Sequence, residues 1–273
     1  PFAAEVIIVM RAISEVFERA SKDHRLVLIG YLPAGYPDGD SFVELAKTAF
    51  SAGLDILEIG LPAADPFYDG PVLRKAIQQV FQSGLTPQTA FGLSRQALQD
   101  ANGSAILMFY AEVLKRVSPE SLFEECRQAG IDGVLPVGMA MDEWLGLAAA
   151  ARLRGVAPIG FLSAAMDEFD LRQVITAADG FLYLQSQDGP TGQAGDFGED
   201  VAARILRVRQ ATIRSLPIVV GFGVRQPADV ERIRQLGADG VVVGTAFVEA
   251  AQQGRAALED FVAQLSQAAM LPV

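Results

Sequence analysis

The 273 residues, 51% of them hydrophobic, suffice for one large α/β barrel or two small domains, and with no linker between halves we read a single domain over residues 1–273. A formal net charge of −11 repels polyanions, which argues against nucleic acid or an anionic membrane surface as partner. The single cysteine, Cys126, rules out an internal disulfide and fits a reducing, cytoplasmic setting; with one histidine, His24 in a polar stretch, there are too few ligands for a zinc cluster.

In chain order, Val6 to Met10 is apolar but too short to cross a bilayer and lacks the basic start of a signal peptide. With no Met at position 1 and a helix predicted from Met10 to Ala20, residues 1–9 are read as an extension ahead of it, processed, upstream, disordered or foreign to the fold. Leu26 to Gly30 is the first strand candidate and Ser41 to Ala52 the helix after it. The phrase Ala52-Gly53-Leu54-Asp55-Ile56 then opens a pattern that returns as Ala129-Gly130-Ile131-Asp132-Gly133, Ala177-Ala178-Asp179-Gly180 and Leu236-Gly237-Ala238-Asp239-Gly240. Each is a helix end and a tight turn feeding an apolar run. With Ala105 to Tyr110, Ile159 to Leu162 and Ile218 to Gly221, these runs make eight strand candidates. Further helices are predicted over Leu73 to Ser83, Pro87 to Ala101, Pro119 to Ala129, Asp142 to Leu153, Asp167 to Ala178, Asp200 to Gln210, Ala228 to Leu236 and Ala256 to Ala269. Near-continuous apolar strands alternating with amphipathic helices indicate a parallel sheet buried on both faces, and eight such units close into a (β/α)8 TIM barrel, here with an extra N-terminal helix. An open doubly wound sheet is the competing topology, but the four phrases fall on alternate strands, as a closed repeat would place them.

Within Leu57-Glu58-Ile59 a carboxylate sits inside an apolar strand, where burial without a partner is costly, so Glu58 is the first candidate for chemistry. The Gly- and Pro-rich run from Gly60 to Pro71 lets the chain fold back and brings Asp69, eleven residues later, to the same strand end. Tyr183 is a third candidate. Counted from the aspartate of its phrase, however, Glu58 is third and Tyr183 fourth, so both face inward only if the two strands are offset by one. A plainer reading pairs Glu58 with an arginine, makes Asp69 a turn residue before Gly70 and leaves Tyr183 a core aromatic.

Glycine-rich segments follow the sixth, seventh and eighth strands: Gly189-Pro190-Thr191-Gly192, Gly221-Phe222-Gly223 and Gly244-Thr245. Glycine lets backbone N–H groups approach an anion, and a short helix predicted to start at Thr245 would point its positive end there. Loops after strands 7 and 8 are the usual phosphate site of this barrel class. No lysine lies in these loops and only Arg225 is near, which fits a phosphate held by backbone donors.

From about Leu26 to Phe247 the chain resembles the tryptophan synthase alpha subunit family, the indole-3-glycerol-phosphate lyases. The resemblance is carried by Pro33-Ala34-Gly35-Tyr36-Pro37-Asp38, the run from Glu58 to Pro71, Gly189 to Gly192, Gly221 to Val224 and Asp239 to Ala246. It implies retro-aldol cleavage of indole-3-glycerol phosphate to indole and glyceraldehyde 3-phosphate, with no metal or organic cofactor. By position, Glu58 resembles the acid/base residue that protonates indole C3 and handles the side-chain hydroxyl proton. Asp69 resembles the carboxylate that accepts from the indole N–H, and Tyr183 a supporting tyrosine. Gly192, Gly223, Gly244 and Thr245 match phosphate contacts.

The chain departs from the family pattern at Ala63-Ala64, where an aromatic-Ser pair is usual, and at Glu112, where Asn followed by Pro is common. Val137-Gly138-Met139-Ala140 replaces an Asp-x-Pro segment, Pro190 a Val, and Gln193 to Gly198 is unusually Gly-rich. In the family much of this lies near the contact with a beta subunit. The expectation is an intact lyase site with weakened or rewired coupling to a tryptophan synthase beta subunit. The alternatives are a non-catalytic, phosphate-ligand-binding barrel that regulates a partner, and another sugar-phosphate barrel enzyme.

Overall fold

The computed structural model describes residues 13–163, 165–186, 199–211, 216–221 and 223–270. The chain runs through α1 (13–22), β1 (Val27–Pro33), α2 (Gly39–Ser51), β2 (Ile56–Gly60), α3 (Pro71–Gln82), α4 (Pro87–Leu98), β3 (Ser104–Tyr110), a 3₁₀ turn (Ala111–Lys115), α5 (Pro119–Ala129) and β4 (Gly133–Val137). It continues through α6 (Met141–Arg152), β5 (Ala157–Pro158), β6 (Gly160–Leu162), α7 (Glu168–Ala177), β7 (Leu182–Gln185), α8 (Glu199–Ala211), β8 (Ile218–Gly221), α9 (Pro227–Gln235), β9 (Gly240–Val243), α10 (Thr245–Gln253) and α11 (Arg255–Ala269).

The sheet order is β5-β4-β3-β2-β1-β9-β8-β7-β6, with every pairing between these strands parallel. Its two outer members are one stretch of chain, because only Ile159 separates β5 from β6. Ile159 N–H donates to Val134 O (2.9 Å) on one side and Gly160 N–H to Phe181 O (3.3 Å) on the other. The sheet is thus a closed barrel of eight staves, and the open doubly wound alternative is excluded. All seven residues of β1 and of β3 are buried, as strands covered by helices outside and side chains inside must be.

The repeated phrase has a structural meaning at the N-terminal face of the barrel. In three of its four copies the aspartate precedes a strand and reaches to the start of the strand beside it. Asp55 accepts from Leu28 N–H (2.9 Å) and takes a two-pronged pair from Arg25 (2.7 and 2.9 Å). Asp239 accepts from Ile218 N–H and Arg209 Nη2, both at 2.6 Å, and Asp132 accepts from Ser104 Oγ at 2.6 Å. Asp55 is only 7% exposed, so Asp55→Ala strands both the Leu28 N–H and the Arg25 charge. It is expected to cost about 3 kcal/mol, read as a lowered midpoint of urea unfolding.

Helix α1 closes the same face. Phe17 packs on Phe181 with ring centroids 5.7 Å apart, and a Cβ on Gly133 would sit 3.0 Å from Ile13 Cδ1. The described part of this helix runs to residue 22, two beyond the expected Ala20; the expected extension over residues 1–9 and the start at Met10 lie outside the described residues. Helix α4 stops at Leu98 rather than Ala101, because Gln99 turns to extended backbone and Asp100 takes a φ of 62°. No helix among the described residues is long and apolar enough to cross a membrane.

Candidate active site

With one end of the barrel plugged, the cavity opens at the other, where the strands end. Its lining includes Glu58, Asp69, Tyr183, Gly223, Gly244 and Thr245. Glu58 lies on β2 between Tyr31 of β1 and Ile106 of β3, its Cα partners, and its neighbours Leu57 and Ile59 are fully buried. Among the described residues no arginine pairs with it, and its Oε2 is buried without a hydrogen-bond partner, so the plainer strand-end ion pair does not hold. Burial, and then the negative Asp69, push the Glu58 carboxyl up to about 8.

Asp69 is carried to the same cavity by a turn closed by Asp69 N–H donating to Pro66 O (3.0 Å), just before α3 begins at Pro71. Tyr110, at the end of β3, donates its hydroxyl to Asp69 Oδ2 at 2.6 Å, and Arg74 Nη2 donates to the Asp69 carbonyl at 3.2 Å. Burial raises the Asp69 carboxyl to about 6, with the Tyr110 hydrogen bond and the Arg74 charge pulling the other way. At neutral pH the pair is therefore one protonated acid, Glu58, facing one carboxylate, Asp69. Glu58 has a proton to give, and Asp69 can stabilise positive charge.

Tyr183 also lines the cavity, so β7 is offset by one relative to β2. Leu135 on β4 and Val242 on β9 line it from the third position after their aspartates, as Glu58 does, whereas Tyr183 does so from the fourth. The extra residue is absorbed by a three-residue turn, in which Phe181 N–H donates to Asp179 O (2.9 Å) around Gly180 at φ 72°. Tyr183 then lies across Gly221 of β8, on the space that a Cβ there would need, and packs tilted against Phe161 with ring centroids 5.6 Å apart.

Two staves from β7, at the end of β9, Gly244 caps α10, which begins at Thr245 as expected and places its first turn at the cavity rim. Gly223 adopts φ 83° beside it, and Arg225, also on the wall, pairs with Glu249 of α10 at 3.0 Å. Gly192, the third glycine of the expected phosphate set, lies outside the described residues. Four aromatics have no role in the sequence analysis: Tyr31, Tyr68 and Phe161, which line the cavity, and Tyr110, which reaches it through Asp69. Tyr110 had been placed at its strand end, but nothing local marked its bond to a residue 41 positions away.

A closed parallel barrel that sets a protonated acid and a carboxylate in one apolar cavity, beside a helix N-terminus able to receive an anion, defines an acid–base enzyme of the (β/α)8 class. The family model described as tryptophan synthase alpha chain matches residues 17–271. The tryptophan synthase alpha chain of Desulfosudis oleivorans is 34% identical over 238 residues, covering 87% of this chain and 89% of its own. That of Mycobacteroides abscessus is 34% identical over 254 residues, 93% of this chain and 95% of its own. A chain in the structure of Mycobacterium tuberculosis tryptophan synthase superposes with a TM-score of 0.88 at 29% identity, covering 95% of this chain and 98% of that one. The chain belongs to the tryptophan synthase alpha chain family, and with it to the lyases that cleave indole-3-glycerol phosphate.

Proposed function

We propose that this cavity performs retro-aldol cleavage of indole-3-glycerol phosphate with Glu58 and Asp69 gripping opposite edges of the indole ring. Asp69, ionised and held by Tyr110, accepts from the ring N–H. Glu58 gives its proton to C3, and the positive charge that this places on the ring develops beside the Asp69 carboxylate. The Glu58 carboxylate then takes the proton of the hydroxyl on the adjoining carbon. The carbon–carbon bond breaks, its electron pair returns to the ring, and the alcohol carbon becomes the aldehyde of glyceraldehyde 3-phosphate. Glu58 ends protonated, as it began. Tyr183 packs beside the ring, and the backbone donors at Gly223, Gly244 and Thr245 take the phosphate, joined by Gly192 as the family resemblance implies. The observation that carries this reading is the convergence of two buried acids of opposite protonation on one apolar cavity.

Coupling to a tryptophan synthase beta subunit is altered in this reading. Two positions that depart from the family pattern are joined here, since Ala64 N–H donates to Glu112 Oε1 at 3.1 Å, and exposed Phe67 packs over a third, Gly138. A cytoplasmic setting, as the buried lone Cys126 suggests, goes with it. Incubation of the purified chain with indole-3-glycerol phosphate is expected to release free indole, at a rate that an added beta subunit changes only a few-fold. No indole would overturn the activity, and a large stimulation at low beta-subunit concentration would overturn the weakened coupling.

A further inference from the structure

Tyr31 sits beside Glu58 across the β1–β2 pairing, 4% exposed, and its hydroxyl is buried without a hydrogen-bond partner among the described residues. The Glu58 Oε2 is in the same condition, and both side chains line the cavity. Two buried polar atoms left unpaired on strand-paired residues are costly, and a Phe at position 31 would fill the same space without that cost. The ring is also held firmly in place. It lies across Gly60 at the end of β2, where any Cβ would collide with it. Tyr110, by contrast, has its hydroxyl committed to Asp69. Burial first, then the nearby Asp69 and Glu58, hold the Tyr31 phenol well above its ordinary range, so it stays protonated and able to donate.

We propose that Tyr31 is a catalytic residue that donates a hydrogen bond to the substrate hydroxyl oxygen whose proton Glu58 removes. This rests on the retro-aldol reading and adds to it the group that meets the oxygen as it changes from alcohol to carbonyl. When the O–H bond breaks, its proton goes to the Glu58 carboxylate and its electron pair forms the C=O bond. Tyr31 keeps its own proton throughout and offsets the negative charge passing through that oxygen. The ligand's hydroxyl would then complete both unpaired groups at once.

The test is Tyr31→Phe in the full chain, assayed alongside the unaltered protein. A drop in kcat of about 10²-fold is expected, the range seen when one donor to a developing oxyanion is removed. Affinity for an analogue that keeps the indole ring and the phosphate but has no hydroxyl on its three-carbon chain is expected to stay within about twofold, because the lost bond is not one that this ligand makes. The thermal midpoint is expected to hold or rise, since a buried unpaired hydroxyl has been removed. Unchanged kcat in the variant, with the unaltered protein active, would overturn the role of Tyr31 and leave the retro-aldol reading standing. A loss of rate matched by equal loss of analogue binding or of stability would overturn it in favour of packing, and an unaltered protein that released no indole would overturn both.

Discussion

Glu58→Gln is expected to lower kcat for indole release by about 10³-fold while leaving the barrel folded, because Gln keeps the shape of the side chain and removes the proton that C3 must receive. The position makes the result diagnostic. Glu58 is 4% exposed and flanked by fully buried Leu57 and Ile59, so no neighbouring water-borne acid substitutes for it. The same variant reports on stability. The Glu58 carboxyl lies at about 8 in the folded chain against an ordinary value of 4.5, so between these values the folded state holds a proton that the unfolded chain has lost. Stability therefore falls as pH rises through that window. In Glu58→Gln that decline is expected to flatten, measured as urea midpoints from pH 5 to pH 8, ordinary laboratory conditions. A variant that keeps full activity would remove Glu58 from the chemistry.

Asp69→Asn carries the second large effect, a loss of about 10²-fold in kcat/KM, since a neutral amide does not stabilise positive charge on the ring as a carboxylate does. The active form needs Asp69 ionised and Glu58 protonated. For the unaltered chain kcat/KM is thus expected to rise with pH through about 6 and fall through about 8. The two acids interact, so these limbs belong to the pair. Removing the Asp69 charge abolishes the lower limb and also removes one of the two causes that raise Glu58, so the upper limb is expected to move to lower pH. An upper limb that stayed in place in Asp69→Asn would show that the acids do not share a cavity.

The strands were legible in the chain because a stave buried on both sides must be apolar throughout, and the loop from Gly60 to Pro71 was legible because its glycines and prolines exclude regular structure. Asp69 and Glu58 could therefore be brought together on paper. The end of β1 was not legible. Gly30 reads as a terminator, but its missing side chain instead makes room for Phe247 of α10, and the strand continues to Pro33. Tyr31 lay just past the misplaced end and so received no role. The one-residue offset of β7 was visible only as a conflict in counting, because the turn at Gly180 that resolves it depends on a backbone angle. The repeated aspartates read as turn markers, whereas three of them bond to neighbouring strands, joining residues up to 28 positions apart.

The plug that Ile13 and Phe17 make at the base of the barrel turns the pocket into a cul-de-sac. Among the described residues, the mouth open to reactant and both fragments is bordered by the exposed ring of Tyr68. A molecule standing over that mouth meets the released indole there, by its location alone. Custody of indole is thus decided by geometry at the threshold, separately from the chemistry that makes it.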